Sequence, residues 1–269
     1  MNKASELLNL KDPAAEIERI IFQGQKFFTE AKIHQVVIGV SGGLDSAVVL
    51  TLLTKMLPKT DIYAFLMPSS ETSEQSCRLA RELVASLDIP ADNVLEVDLS
   101  ESVSKILEKR PAVQKETDQS TLKRTRGNIM ARLRMIYLFD WAALNWTLVA
   151  GTENRSEREL GYYTMYGDSA SSFELISHLY KTQVRQLARE LGVSPEIIER
   201  EPSADLWEGQ TDEGEMGFSY EEADLVLAAD NEHEPNYLTG IDQKIIEQVR
   251  QRRQANRYKL FQPQRIENN

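Results

Sequence analysis

Two hydrophobic periods alternate along this chain. Residues 35–40 (QVVIGV) form a short β-branched run that stops at glycine, and 61–67 (DIYAFLM), 93–99 and 146–150 (WTLVA) are runs of the same kind. Short, continuously apolar runs bounded by turn residues predict buried strands. Between them, residues 47–57, 73–87 and 129–144 repeat apolar positions at helical spacing. Pro58 closes the first of these helices, Ser73 caps the second, and Gly127-Asn128 opens the third. Ahead of the first strand, Asp12-Pro13 predicts an N-cap followed by proline at the first helical position. Ile17, Ile20, Ile21, Phe27 and Phe28 then mark the buried face of a lead-in helix. Strands alternating with helices predict an α/β fold, an open and mostly parallel sheet covered by helices on both faces.

Beyond Gly151 the pattern loosens. Residues 161–173 are rich in Gly, Tyr and Ser, whereas 100–125, earlier in the chain, are polar, charged and helical. Residues 181–191 predict a helix ended by Gly192, 202–217 a glycine-containing acidic loop, and 220–229 and 242–253 two further helices. No internal repeat or linker interrupts the chain. The expected organisation is one domain over 1–269, with a helical lead-in at 1–34 and a polar tail at 254–269.

Composition narrows the function. At 269 residues and 41% hydrophobic content, the chain can bury a substantial core. Its 42 acidic residues outnumber 31 Lys and Arg, for a net charge of −11, which argues against a nucleic-acid partner because phosphate binding needs clustered cations. The one cysteine, Cys77, rules out an intrachain disulfide and a cysteine-based zinc site, and its helical context predicts a packing role. The amino terminus has no apolar signal segment and no run is long enough to span a bilayer, so a cytoplasmic protein with no membrane partner is expected.

The chemistry concentrates where the first strand meets the second helix, at Gly39-Val40-Ser41-Gly42-Gly43-Leu44-Asp45-Ser46. A helix N-terminus offers unpaired N–H groups and the positive end of a dipole, which suit phosphate. Paired glycines let the backbone approach the anion, and Ser41 and Ser46 add hydroxyls. Asp45 would repel a bare phosphate, so it implies a Mg²⁺ between carboxylate and phosphate oxygens. The loop lacks the Gly-Lys-Ser/Thr ending of a Walker A motif and the Gly-x-Gly-x-x-Gly spacing of a dinucleotide fingerprint.

Residues 41–46 resemble the Ser-Gly-Gly-x-Asp-Ser loop of ATP pyrophosphatases, whose fold is described as adenine nucleotide alpha hydrolase-like. Further blocks are similar to the ammonia-dependent NAD synthetase family within that group. They are Gly127-Asn128 with Ala131-Arg132-Leu133-Arg134-Met135, then Gly151-Thr152-Glu153-Asn154-Arg155-Ser156-Glu157, then Leu179-Tyr180-Lys181-Thr182-Gln183, then Pro202-Ser203-Ala204-Asp205 with Gln210-Thr211-Asp212-Glu213. The resemblance covers roughly residues 15–230, in order.

The resemblance implies that Gly39, Val40 and residues 41–46, with Thr152, Lys181 and Ser203, hold ATP. It implies that Asp45 and Glu157 bind Mg²⁺ and that Arg132 contacts the dinucleotide substrate. It implies a ligase in which the nicotinate carboxylate of deamido-NAD is adenylylated and then aminated by ammonia, giving NAD, AMP and pyrophosphate. It also implies a homodimer, with the helix at 129–144 a candidate interface. Three positions depart from the family pattern: Met165, Ser172 and Tyr258 stand where Lys, Asp and His are usual. These departures fall on positions that hold the acceptor, which keeps open an alternative in which a different carboxylate is activated.

Overall fold

A computed structural model describes residues 7–111, 118–203, 207 and 209–261. Five parallel strands form one sheet in the order β3-β2-β1-β4-β5: β1 Val36–Gly39, β2 Ile62–Leu66, β3 Val94–Glu96, β4 Leu148–Gly151 and β5 Phe173–Glu174. β1 is central, pairing Val36 with Ile62 on one side and with Leu148 on the other. The helices are α1 Pro13–Ala31, α2 Leu44–Met56, α3 Glu74–Ser86, α4 Ser100–Glu108 and α5 Gln119–Asn145. They continue as α6 Arg155–Leu160, α7 Lys181–Leu191, α8 Pro195–Glu199, α9 Asp212–Met216, α10 Tyr220–Glu232 and α11 Gln243–Asn256.

The alternation of side chains along β1 sorts the layers. Val36 and Ile38 face a core shared with α1, α2 and α7, while Val37 faces a second core with Met130 and Leu133 of α5 and Val103 of α4. The sheet is therefore covered on both faces, as the alternating pattern predicts. α2 is apolar all round, with Val48, Val49, Leu50, Leu52 and Leu53 at 0% exposure, and lies buried between the sheet, α1 and α7. α1 starts as expected: Asp12 Oδ1 accepts from Ala15 N at 3.0 Å and Pro13 is at the first helical position. A third apolar cluster joins α10 and α11 to Leu160 and Tyr180.

Several expectations need correction. α5 begins at Gln119, capped by Asp118, so the Gly127-Asn128 pair lies inside the helix rather than opening it. Gly127 is buried there, and Asn128 Oδ1 accepts from Thr164 Oγ1 at 2.9 Å. Trp146 belongs to the end of α5, in left-handed backbone, and the fourth strand starts at Leu148. The two-residue β5 inside the Tyr- and Ser-rich segment had no periodicity to announce it. Within the expected loop at 202–217, Asp212–Met216 is helical, while Ala204, Asp205, Leu206 and Glu208 lie outside the described residues. The expected polar tail is partly structure: α11 extends to Asn256, and Lys259 Nζ donates to the carbonyls of Gly161 and Tyr163 at 2.6 and 2.8 Å. Gly161 has φ +63° and an added Cβ would lie 2.3 Å from Asn256 Cβ, so this docking requires glycine.

Among the described residues, no helix is long and apolar enough to cross a membrane. Strand order reverses direction between β1 and β4. Connections leaving their carboxyl ends diverge there and open a crevice, the place where open α/β sheets bind ligands.

Core burial makes a direct stability prediction. Leu52→Ala, at a fully buried site in α2, should cost about 2–5 kcal/mol in urea unfolding, whereas Phe22→Ala on the exposed face of α1 should stay within about 0.5 kcal/mol.

Candidate active site

The crevice is floored by the turn from β1 into α2. Gly42 has φ +78°, and an added Cβ would sit 2.3 Å from the Ser76 carbonyl oxygen of α3, so backbone conformation and close approach both demand glycine. Ser46 Oγ donates to the Gly43 carbonyl at 3.1 Å and accepts from Ser41 N at 3.3 Å, while Ser41 Oγ accepts from Gly43 N at 3.2 Å. These bonds shape the loop from within. Gly43 caps α2 with no side-chain hydrogen bond, which leaves the helix start open to an anion.

Above the loop lies a buried cation. Lys181, the first residue of α7, is 3% exposed, and its Nζ lies 2.5 Å from Asp45 Oδ2 and 3.1 Å from Glu157 Oε1. Burial alone would lower its pKa, but the carboxylates of Asp45, Glu157 and Asp212 outweigh that and hold it well above the usual lysine value. Glu157 is driven upward by its own burial and by the charge of Asp45, against the pull of the Lys181 ammonium. Asn154 caps α6 through Glu157 N at 3.0 Å and donates from Nδ2 to Asp45 Oδ1 at 3.0 Å, tying the two acidic helix starts together. The third carboxylate, Asp212, accepts from the hydroxyls of Tyr162 and Tyr220, both at 3.2 Å.

A cavity of about 280 Å³ opens over this group. Gly39, Val40, Ser41, Gly43, Leu44, Asp45, Ser46, Thr152, Glu157, Lys181 and Ser203 all line it. Gly42 lies behind the loop, against α3. Arg132 lies outside this cavity. It is exposed on α5, its Nε donating to the Met165 carbonyl at 3.3 Å, and the α5 arginine that lines the cavity is Arg134. Ser172 also departs from expectation, because its N–H and hydroxyl are both bonded to Val149 of β4. Tyr258 is 58% exposed. Cys77, read as a packing residue, lines the cavity from α3.

Sequence reasoning missed Asp168 and Asp212 as site residues. Asp168 lines the cavity while its Oδ1 accepts from Thr164 N at 2.7 Å, and desolvation of the carboxylate raises its pKa. Asp212 sits in the acidic stretch read as a loop. A carboxylate aligned with a buried lysine 31 positions earlier leaves no periodic trace.

Residues 16–263 match the sequence profile of the family described as NAD synthase. The chain belongs to the NAD synthase family. An NH₃-dependent NAD⁺ synthetase of Chlorobaculum parvum is 43% identical over 234 residues, covering 86% of this chain and 80% of the relative. Among solved structures, an NH₃-dependent NAD synthetase from Campylobacter jejuni, in complex with nitrate, superposes with a TM-score of 0.79 at 29% identity, covering 95% of this chain and all of that one. An NMN synthetase from Francisella tularensis superposes at 0.81 with 28% identity, covering 95% of this chain and 98% of that one.

In this member of the family, a second acidic group lies beside the cavity. Burial pushes Glu153 up to about 9, helped by the charges of Glu157 and Glu174, and pushes Glu174 up to about 7 against hydrogen bonds from Ser171 Oγ and Glu153 N. A folded value above the usual 4.5 means the cost of ionising Glu174 in place is absent below that pH and complete above about 7. Glu174→Gln removes the titration. Its stability relative to the unsubstituted protein should rise by about 1–3 kcal/mol between about pH 5 and pH 8 in urea unfolding; a pH-independent difference would refute this account.

Proposed function

We propose that this chain adenylylates the nicotinate carboxylate of deamido-NAD with ATP and then aminates it with ammonia, releasing pyrophosphate and AMP. The observation that carries this reading is Lys181, buried between Asp45 and Glu157 directly over the open start of α2. Phosphate on the helix start would bring negative charge against the Lys181 ammonium, which can stabilise the charge that builds on departing pyrophosphate. Asp45 and Glu157 each direct one oxygen at the Lys181 ammonium, so the two carboxylates lie side by side over the helix start, and no cluster of three metal-binding side chains occurs among the described residues. That donor set fits Mg²⁺, which takes one or two carboxylates and completes its shell with phosphate oxygens and water. When bound, the ion supplies further neutralisation of phosphate charge.

The carboxylate oxygen attacks the α-phosphorus and the bond to the β-phosphate breaks. Ammonia then attacks the acyl carbon and the bond to AMP breaks. The surplus proton on the new amide nitrogen needs an acceptor, and Asp168, a cavity carboxylate with a raised pKa, suits that role. The remaining groups mainly position reactants.

Arg132, Ile136 and Phe139 are exposed at i, i+4 and i+7 of α5, with the two apolar residues 54% and 36% exposed. An apolar strip carrying an arginine supports a homodimer in which a second copy covers this face. It also accounts for an acceptor contact at Arg132 outside this chain's own cavity. The likeness to an NMN synthetase favours one second reading, in which the acceptor is the nicotinate mononucleotide.

With Mg²⁺, ATP and ammonium, deamido-NAD should yield NAD, AMP and pyrophosphate in equal amounts. Asp45→Asn should slow this about 100-fold or more with thermal unfolding little changed. Turnover of the mononucleotide alone would support the second reading, and turnover of neither would move the acceptor to another carboxylate. For the dimer, Ile136→Glu should produce monomers in light scattering and raise KM for the acceptor; an unchanged dimer would remove this face from the interface.

A further inference from the structure

Asp224 is a buried charge that the reaction above does not use. It lies in α10 at 0% exposure, among Ala223, Leu225, Val226 and Leu227. A carboxylate at that depth persists only with its oxygens satisfied. Oδ1 accepts from the Ser156 hydroxyl, and Oδ2 accepts from Thr182 N at 2.9 Å. The Ser156 oxygen in turn accepts from Lys181 N at 2.8 Å, and Ser156 is also 0% exposed.

The two N–H groups taken in this way are the first two of α7. Its N-cap residue, Tyr180, makes no side-chain cap hydrogen bond. The work of an N-cap is instead done from outside the helix, by Ser156 of α6 and Asp224 of α10, and a negative charge at a helix start is favourable in its own right. The same link reaches the metal-binding side of the site. Ser156 precedes Glu157, and both stand in the first turn of α6, whose cap Asn154 donates to Asp45. One carboxylate therefore holds together the starts of the two helices that carry Glu157 and Lys181.

We propose that Asp224, acting through Ser156, is the positioning residue that sets the Lys181 ammonium against Asp45 and Glu157 for adenylyl transfer. It touches no reactant. Its effect is geometric, and a displacement of reacting groups by about 1 Å can slow a reaction about 100-fold. Asp224→Asn keeps the shape but replaces one accepting oxygen with a donating amide, so Ser156 must turn and its bond to Lys181 N is weakened.

The inference rests on the role given to Lys181 above, and a double-mutant cycle tests it. Pyrophosphate release and the Kd for Mg²⁺·ATP are measured for the unsubstituted protein, Asp224→Asn, Lys181→Met and the double variant. Asp224→Asn should lower kcat about 10- to 100-fold while KM for the acceptor stays within about twofold. On the Lys181→Met background the same substitution should change the rate less than about twofold, because no ammonium remains to be placed. Multiplying losses in the double variant would overturn the positioning role and leave the proposed reaction standing. A Lys181→Met variant as fast as the unsubstituted protein would overturn both. If Asp224→Asn does not fold, Ser156→Ala removes the middle of the same link and is carried through the same cycle with the same outcomes.

Discussion

An ammonium held out of water by three carboxylates organises this molecule. Lys181 is almost fully enclosed, and a lone buried lysine would lose its proton or unfold its surroundings. It stays charged because Asp45, Glu157 and Asp212 arrive from three separate elements. Each needs its own support: Asn154 donates from its side chain to Asp45 and from its backbone N–H to Glu157, and the hydroxyls of Tyr162 and Tyr220 donate to Asp212. Such a cluster is weak evidence for stability, since apolar packing would serve that end as well. Its value lies in keeping a fixed ammonium among carboxylates beside the open helix start of α2.

Sheet topology makes the cluster possible. α2 and α6 leave the carboxyl ends of β1 and β4, which are neighbours in the sheet but lie more than a hundred residues apart in the chain. The reversal of strand order between them separates the outgoing helices enough to open a cavity, yet leaves Asp45 and Asn154 within hydrogen-bonding distance. The loop from Gly161 to Asp168 closes one wall, and it is held from the carboxyl-terminal region by Lys259 and Asn256. A segment that looks like a polar tail thus fixes the wall that carries Asp168.

The departures at Met165, Ser172 and Tyr258 look different in three dimensions. Ser172 is engaged with Val149 in extending the sheet edge, Met165 offers a carbonyl to Arg132, and Tyr258 stands on the surface beside the docked Lys259. None of the three side chains lines the cavity of this chain. The positions expected to hold ATP, by contrast, line the cavity from Gly39 to Ser203, with Gly42 behind the loop.

Local chemistry made much of this legible in the sequence. Short apolar runs bounded by turn residues and alternating with helical periods favour strands of a parallel sheet, so the layers followed from periodicity, although Val94–Glu96 at the sheet edge is not buried. The glycine pair ahead of Asp45 and Ser46 needs nothing beyond a strand, a turn and a helix start, all within eight residues, and that geometry could be read from those alone. Family resemblance added Glu157, Lys181 and Thr152, which the fold brings to one cavity. Only the tertiary structure decided which arginine of α5 reaches that cavity, that Asp168 and Asp212 join the site, and that Asp224 stands behind Lys181. These are contacts between groups as far as 68 residues apart, set by strand order and helix packing, and no local period or motif carries that information.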